Sequence, residues 1–218
     1  QITATEISED DEAMGDWLIF HPDLLRSYPL FNKIKDYGFF SYSTVEALHL
    51  SAKEEQMIER IWEEIKQEYR SNIDAFSQDV IISHIDLLLN YCNRFYNRQF
   101  ITRKKINNDL LSKFENFLKI YFEGGLSLNK GLPQVQYFSD KLFVSTQYLS
   151  DLLKSLTGMT TQQHIHNYVV ELAKDKLMQT SLSVGEIAYE LGFEYPQSFN
   201  KLFKNKTGKT PNEFRNLN

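Results

Sequence analysis

Gln197, Asn200, Lys201 and Lys204 face outward if residues 196–207 are helical, because Phe199, Leu202 and Phe203 take the inward face at i, i+3 and i+4. Carboxamides suit N6 and N7 of adenine, and an ammonium suits O6 and N7 of guanine. A second set, Gln147, Ser150, Asp151 and Lys154, stands outside Leu149, Leu152 and Leu153 in the same manner. Asp151 can accept from N4 of cytosine, although phosphate repels it. These are recognition groups. Catalysis has no comparable candidates: no Ser/His/Asp or Cys/His constellation, P-loop or dinucleotide glycine fingerprint can be assigned. The chain is not expected to be an enzyme, and no cofactor is expected. His21 has no second ligand at chelating spacing, and His164 and His166 lie two apart on a predicted helix, pointing to different sides. No metal site is expected.

The elements that would position the recognition groups are legible in residues 183–215. Ser183 and Glu186 have capping-box spacing, and Ile187, Ala188 and Leu191 form a short apolar face. Gly192 ends that helix, since glycine tolerates positive φ at a helix C-terminus. Pro196 opens the next helix and Gly208 stops it. Thr210, Pro211 and Glu213 then start a third helix with a capping box and proline at N1. Two short helices joined by a glycine turn, the second with a polar and basic outer face, read as a helix-turn-helix or as an ordinary small bundle.

A repeat favours the former. Residues 135–165 lie over residues 184–215 with an offset of 49, becoming 50 after one insertion in the turn. Phe138 meets Ile187, Leu142 meets Leu191, Leu149 meets Phe199, Leu153 meets Phe203, and Gly158 meets Gly208. Inward positions match in kind while outward positions differ, which suits two copies of one scaffold reading two different segments. Thr160 and Gln163 start a helix between the copies that runs to about Gln179.

Glu186, Ile187, Ala188, Leu191, Gly192, Phe193, Ser198, Phe199, Leu202, Phe203, Lys204, Gly208, Thr210, Pro211, Phe214 and Arg215 together form a long, spaced pattern. It resembles the DNA-binding domain of AraC/XylS-type transcription regulators, and the resemblance covers residues from about 109 to 215. Val169 departs from it, standing where many members carry Arg four residues before an Ala-Lys pair, here Ala173 and Lys174. The resemblance implies double-stranded DNA as partner. It places Gln147, Ser150 and Asp151 around Leu149, and Gln197, Asn200 and Lys201 around Phe199, at base-reading positions. It also implies a cupin-like barrel that senses an effector, and a dimerising region between barrel and reader.

The whole chain has 218 residues and a net charge of −5, which alone argues against nucleic acid. The distribution matters more. Residues 1–100 carry 9 Lys and Arg against 18 Asp and Glu, whereas residues 101–218 carry 15 against 11. An acidic half joined to a mildly basic half fits a controlling module joined to a reader, with Lys201, Lys204, Lys206 and Lys209 clustered near the second outward face. No apolar run approaches the ~18 residues of a membrane span. One cysteine, Cys92, and a polar start without a signal-peptide pattern point to the cytoplasm.

In chain order, the acidic run at residues 9–12 is expected to be a solvated loop. Residues 16–20 and 37–42 are expected to be strands. The resemblance makes residues 1–50 the C-terminal edge of a cupin-like barrel, with its earlier strands missing. Residues 51–101 are expected to be a helical hairpin, started by a capping box of Ser51 and Glu54. Its apolar stripe is wider than one partner helix needs, so Ile81, Ile85, Leu88, Leu89 and Phe95 are expected to form a homodimer surface, a core contact being the other reading. Residues 102–108 read as a hinge, and 109–218 as the tandem helix-turn-helix domain. The expected fold is mainly α: a tandem helix-turn-helix with a linker helix, preceded by a helical hairpin and a small β-barrel remnant. A helical ligand-binding or protein-interaction module without DNA is the second class open at this point, and salt-sensitive retention on heparin would disfavour it.

Overall fold

The computed structural model describes residues 2–3 and 16–216, with the backbone alone at Ile2, Thr3, Lys104 and Lys105. The acidic run at residues 9–12 lies outside the described residues. The described elements are strands β1 (Ile2–Thr3) and β2 (Ile19–Phe20), and helices α1 (Leu30–Lys33), α2 (Ala52–Arg70), α3 (Ser77–Thr102), α4 (Lys104–Glu123) and α5 (Leu126–Lys130). Then follow α6 (Val135–Leu142), α7 (Thr146–Thr157), α8 (Thr161–Gln179), α9 (Val184–Glu190), α10 (Pro196–Thr207) and α11 (Pro211–Arg215). The chain divides into two compact units, residues 1–40 with 48–96, and residues 41–47 with 97–218.

In the first unit, the only sheet among the described residues is the antiparallel pair of β1 and β2, in which Ile2 faces Phe20. No barrel strands accompany it, so a cupin remnant is not present among the described residues. Residues 38–41, expected as a strand, form a turn of 3-10 helix instead. Phe39 stacks on Tyr37 at 5.3 Å and on Tyr96 at 5.5 Å, so the aromatic content serves ring packing rather than a sheet.

The wide stripe of α3 is covered from within the chain. Ile81, Ile85, Leu88 and Leu89 are buried in one core with Leu25, Leu30, Tyr37, Ile61 and Ile65. Phe95 is also buried, its ring 5.6 Å from Tyr91. The five residues expected at a dimer surface are therefore internal. The physical reason is the segment before α2, which side-chain bonds fasten along α3. Gln78 donates to the Leu24 carbonyl at 3.1 Å, Lys33 pairs with Asp86 at 2.7 Å, and Tyr37 donates to Asn90 at 3.0 Å. Tyr28 also donates to Asp79.

In the second unit the expected hinge at 102–108 is helical, because α4 begins at Lys104. Asn107 is buried and donates to the Phe100 carbonyl at 2.6 Å, bracing the junction of α3 and α4. The core gathers Phe114 and Leu118 of α4 with the inward residues of α6, α7, α9 and α10. Helix α8 runs through it, burying Ile165, Val169, Val170, Ala173 and Leu177. Val169 is wholly buried, so its position holds apolar packing rather than a polar contact. Arg215 donates to the carbonyls of Leu177 at 3.2 Å and Leu182 at 2.6 Å, tying α11 to the end of α8.

Candidate nucleic-acid interface

The two copies share one frame at the turn and at the end of the reading helix. In α9, the Ser183 side chain accepts from Glu186 N at 3.2 Å and Glu186 accepts from Ser183 N at 2.7 Å, closing the capping box. That bonding holds the Glu186 carboxyl below the usual carboxylate range, as the Thr210 bonds do for Glu213. At the turn, Phe193 N donates to the Ala188 carbonyl at 2.9 Å, and in the first copy Val144 N donates to the Ser139 carbonyl at 3.0 Å. Each reading helix ends alike. Gly158 and Gly208 have φ of 79° and 78°, and the Thr157 and Thr207 hydroxyls each donate at 2.8 Å to a carbonyl of the preceding turn. Capping boxes at Thr160 and Thr210 then start the following helices.

The inward residues hold the outward ones in place. Leu149, Leu152 and Leu153 are buried under α7, and Phe199 and Phe203 under α10. The opposite face of α10 leaves Gln197, Lys201 and Lys204 exposed, with Lys206 and Lys209 exposed beyond them. Asn200 is half-buried, and its Oδ1 is enclosed without a protein donor. On α7, Lys154 is exposed, whereas Gln147, Ser150 and Asp151 are half-buried.

A family model described as a helix-turn-helix domain matches residues 138–217, the span that holds both copies. Residues 138–217 are thus matched as a helix-turn-helix domain. The chain is 41% identical over 78 residues to the uncharacterized transcriptional regulatory protein YesN of Bacillus subtilis, covering 35% of this chain and 21% of that protein. It is 26% identical over 159 residues to the uncharacterized HTH-type transcriptional regulator YfiF of the same organism, covering 72% of this chain and 49% of that protein. The chain thus spans less than half the length of either relative. Among solved structures, the C-terminal domain of the response regulator yesN from Fusobacterium nucleatum is 29% identical. It covers 46% of this chain and 96% of that one, with a TM-score of 0.41.

The helix-turn-helix domain carries one feature that the pattern of residues 183–215 does not announce. Residues 41–47 lie on the first copy. Glu46 is buried, and its carboxylate accepts from Ser145 N at 2.5 Å and from the Ser145 hydroxyl at 2.7 Å. Tyr42 donates to Asp151 at 2.9 Å, and its ring meets Tyr148 edge-on at 5.2 Å. Gln147 in turn donates to both Asp151 oxygens at 3.1 Å. Sequence reasoning missed Tyr42 and Glu46 as neighbours of the reading residues. A partial signal was present, since Ser43 and Glu46 have capping-box spacing, and the box forms with Ser43 N donating to Glu46 at 2.7 Å.

Among the described residues no group of three or more His, Cys, Asp or Glu could hold a metal ion. No described helix is long and apolar enough to cross a membrane.

Proposed function

We propose that the chain is a sequence-specific, DNA-binding transcription regulator whose two helix-turn-helix copies enter successive major-groove segments. The observation that carries this reading is the pair of copies itself: matching turns, glycine stops and capping boxes after the reading helices present two different outward faces. Helix α8, which joins them, has 19 residues. At ~1.5 Å per residue it spans ~28 Å, close to the ~34 Å between successive major-groove faces. The names of the YesN and YfiF relatives, both transcriptional regulators, support the same class. Gln197, Asn200 and Lys201 read bases from the second copy, and Gln147, Ser150 and Asp151 are the matching set in the first. Lys204 and Lys154 meet phosphate. Since the faces differ, the site is asymmetric within one monomer's footprint.

The acidic first unit is the controlling module, responding to a small-molecule effector or a partner, and the protein works in the cytoplasm. Homodimer formation, if it accompanies DNA binding, uses a surface other than Ile81, Ile85, Leu88, Leu89 and Phe95, which are internal. Sedimentation of the chain with and without duplex reads this out.

Fluorescence anisotropy with a duplex library over a salt series tests the main reading. Lys204→Ala is expected to weaken binding on all sequences and flatten the salt slope by about one unit. Gln197→Ala is expected to relax preference at one base pair, costing roughly 1–3 kcal/mol there. A folded chain that binds neither heparin nor any duplex at low salt would favour the protein-interaction alternative.

A further inference from the structure

Among the described residues, the cover on α7 has no counterpart on α10. Ser145 is the N-cap of α7, and both its backbone N–H and its hydroxyl are given to Glu46. The equivalent N-cap of α10 is Tyr195, an exposed residue with no side-chain cap bond, followed by Pro196. The N-terminal end of a reading helix is where a groove-docked helix meets phosphate and the first base edges. In the first copy that place is taken by a carboxylate, an anion where phosphate would sit.

Hydrogen bonds and ring contacts complete the cover. Tyr42 holds Asp151, Asp151 holds Gln147, and the Tyr42 and Phe100 rings flank Tyr148 at 5.2 and 5.3 Å. Two of the three base-reading positions of α7 are thereby engaged within the chain. Gln99, itself buried, donates to the Ala47 carbonyl at 3.2 Å and fastens the end of the segment. The residues on either side of the segment, up to Phe40 and from Leu48, belong to the first unit. A change in the fold of that unit therefore pulls on both ends of residues 41–47.

We propose that residues 41–47 are an autoinhibitory strap, which masks the first reading helix with Glu46 as a phosphate mimic and leaves only the second copy free to dock. The inference rests on the DNA-binding reading above. With the contacts of α7 worth about tenfold in affinity, a strap closed more than about nine-tenths of the time keeps the bound wild type on the second copy alone. Opening it adds the phosphate contacts of α7 and steepens the salt dependence. The strap gives the acidic first unit a mechanical route to the reader: whatever stabilises a form of that unit incompatible with the bound strap increases DNA affinity.

The test compares the full wild-type chain with the double variant Glu46→Gln, Tyr42→Phe by anisotropy and footprinting on one selected duplex. The wild type is expected to protect one major-groove segment, with a salt dependence shallower than that of the double variant. The double variant is expected to bind about tenfold more tightly and to protect two segments. In that background Lys154→Ala should lower the salt slope by about one unit. A steeper salt slope in the double variant, reduced again by Lys154→Ala, separates release from general loosening, because a merely destabilised α7 gains no Lys154 contact. If the double variant unfolds by circular dichroism, Tyr42→Phe alone, which keeps the ring, takes its place, with the same direction expected. Equal affinity, slope and footprint in wild type and variant, with Lys204→Ala still weakening both, overturns the strap and leaves the DNA-binding reading standing. Failure of every form, wild type included, to bind any duplex overturns both.

Discussion

The two helix-turn-helix copies share a skeleton and differ in how its turn is held and in the entrance to the reading helix. At the turn, position 143 corresponds to position 192, and both are left-handed, with φ of 57° at Phe143 and 89° at Gly192. Gly192 has no alternative. A Cβ there would lie 2.6 Å from the Gly131 carbonyl carbon and 2.8 Å from Leu132 N, backbone atoms that cannot move aside cheaply. The close approach is used, since Leu132 N donates to the Gly192 carbonyl at 2.9 Å. Phe143 is 88% exposed, so its position has open space, and only the backbone penalty opposes a side chain. The same conformation is thus enforced by packing in one copy and tolerated in the other. The lesson extends to the entrance, where one helix end is occupied by Glu46 and the other has no side-chain cap among the described residues.

Breaking the tighter copy should have the largest effect. Gly192→Ala combines a strained φ with a backbone clash and is expected to cost at least about 2 kcal/mol of stability, read as a lowered denaturant midpoint. A midpoint equal to wild type would mean that the approach of residues 131–132 to the second turn is not obligatory.

The looser copy should respond in the opposite direction. Phe143→Gly removes a left-handed bulky residue, a relief of ~1–2 kcal/mol partly offset by the greater chain entropy of glycine. A net gain of about 0.5–1 kcal/mol is expected, and a loss would indicate that the Phe143 ring makes a contribution beyond its exposed position.

The smallest effect concerns pH. His164 in the first copy corresponds to Phe214 in the second. Its Nε2 lies 2.8 Å from the Thr157 hydroxyl and its ring meets Phe114 edge-on at 5.8 Å. Burial lowers its pKa, with Glu115 opposing. The folded form therefore binds the proton less readily than the unfolded chain. Its contribution to stability is full above the unfolded value, about 6.5, and is lost as pH falls below it through the depressed folded value. His166 is lowered too, by burial and then by Lys206. His164→Phe, which copies the second unit, should flatten but not abolish the loss of stability between about pH 6.5 and 5. An unchanged pH profile in that variant would exclude His164 as a source.

What was legible in the sequence was local. The boxes at Ser51, Thr160, Ser183 and Thr210 all form, because a cap bonds a hydroxyl to a backbone three residues on and needs no distant partner. The glycine stops at Gly158, Gly192 and Gly208 are left-handed for an equally local reason. With the offset of 49 and then 50 residues, these features outline both copies and the outward positions Gln147, Lys154, Gln197 and Lys204 before any packing is known.

Tertiary structure alone decided the rest. The stripe of α3 carries the same residues whether it meets a second subunit or its own chain. Only the bonds from Leu24, Lys33 and Tyr37 to α3, some 53 residues away for the last two, show that it is internal. The cover on the first reading helix is more remote still. Tyr42 and Asp151 are 109 residues apart, and Glu46 and Ser145 are 99 apart. Periodicity and capping act within a few residues, so they define the helices, whereas which surfaces become buried depends on where distant segments come to rest.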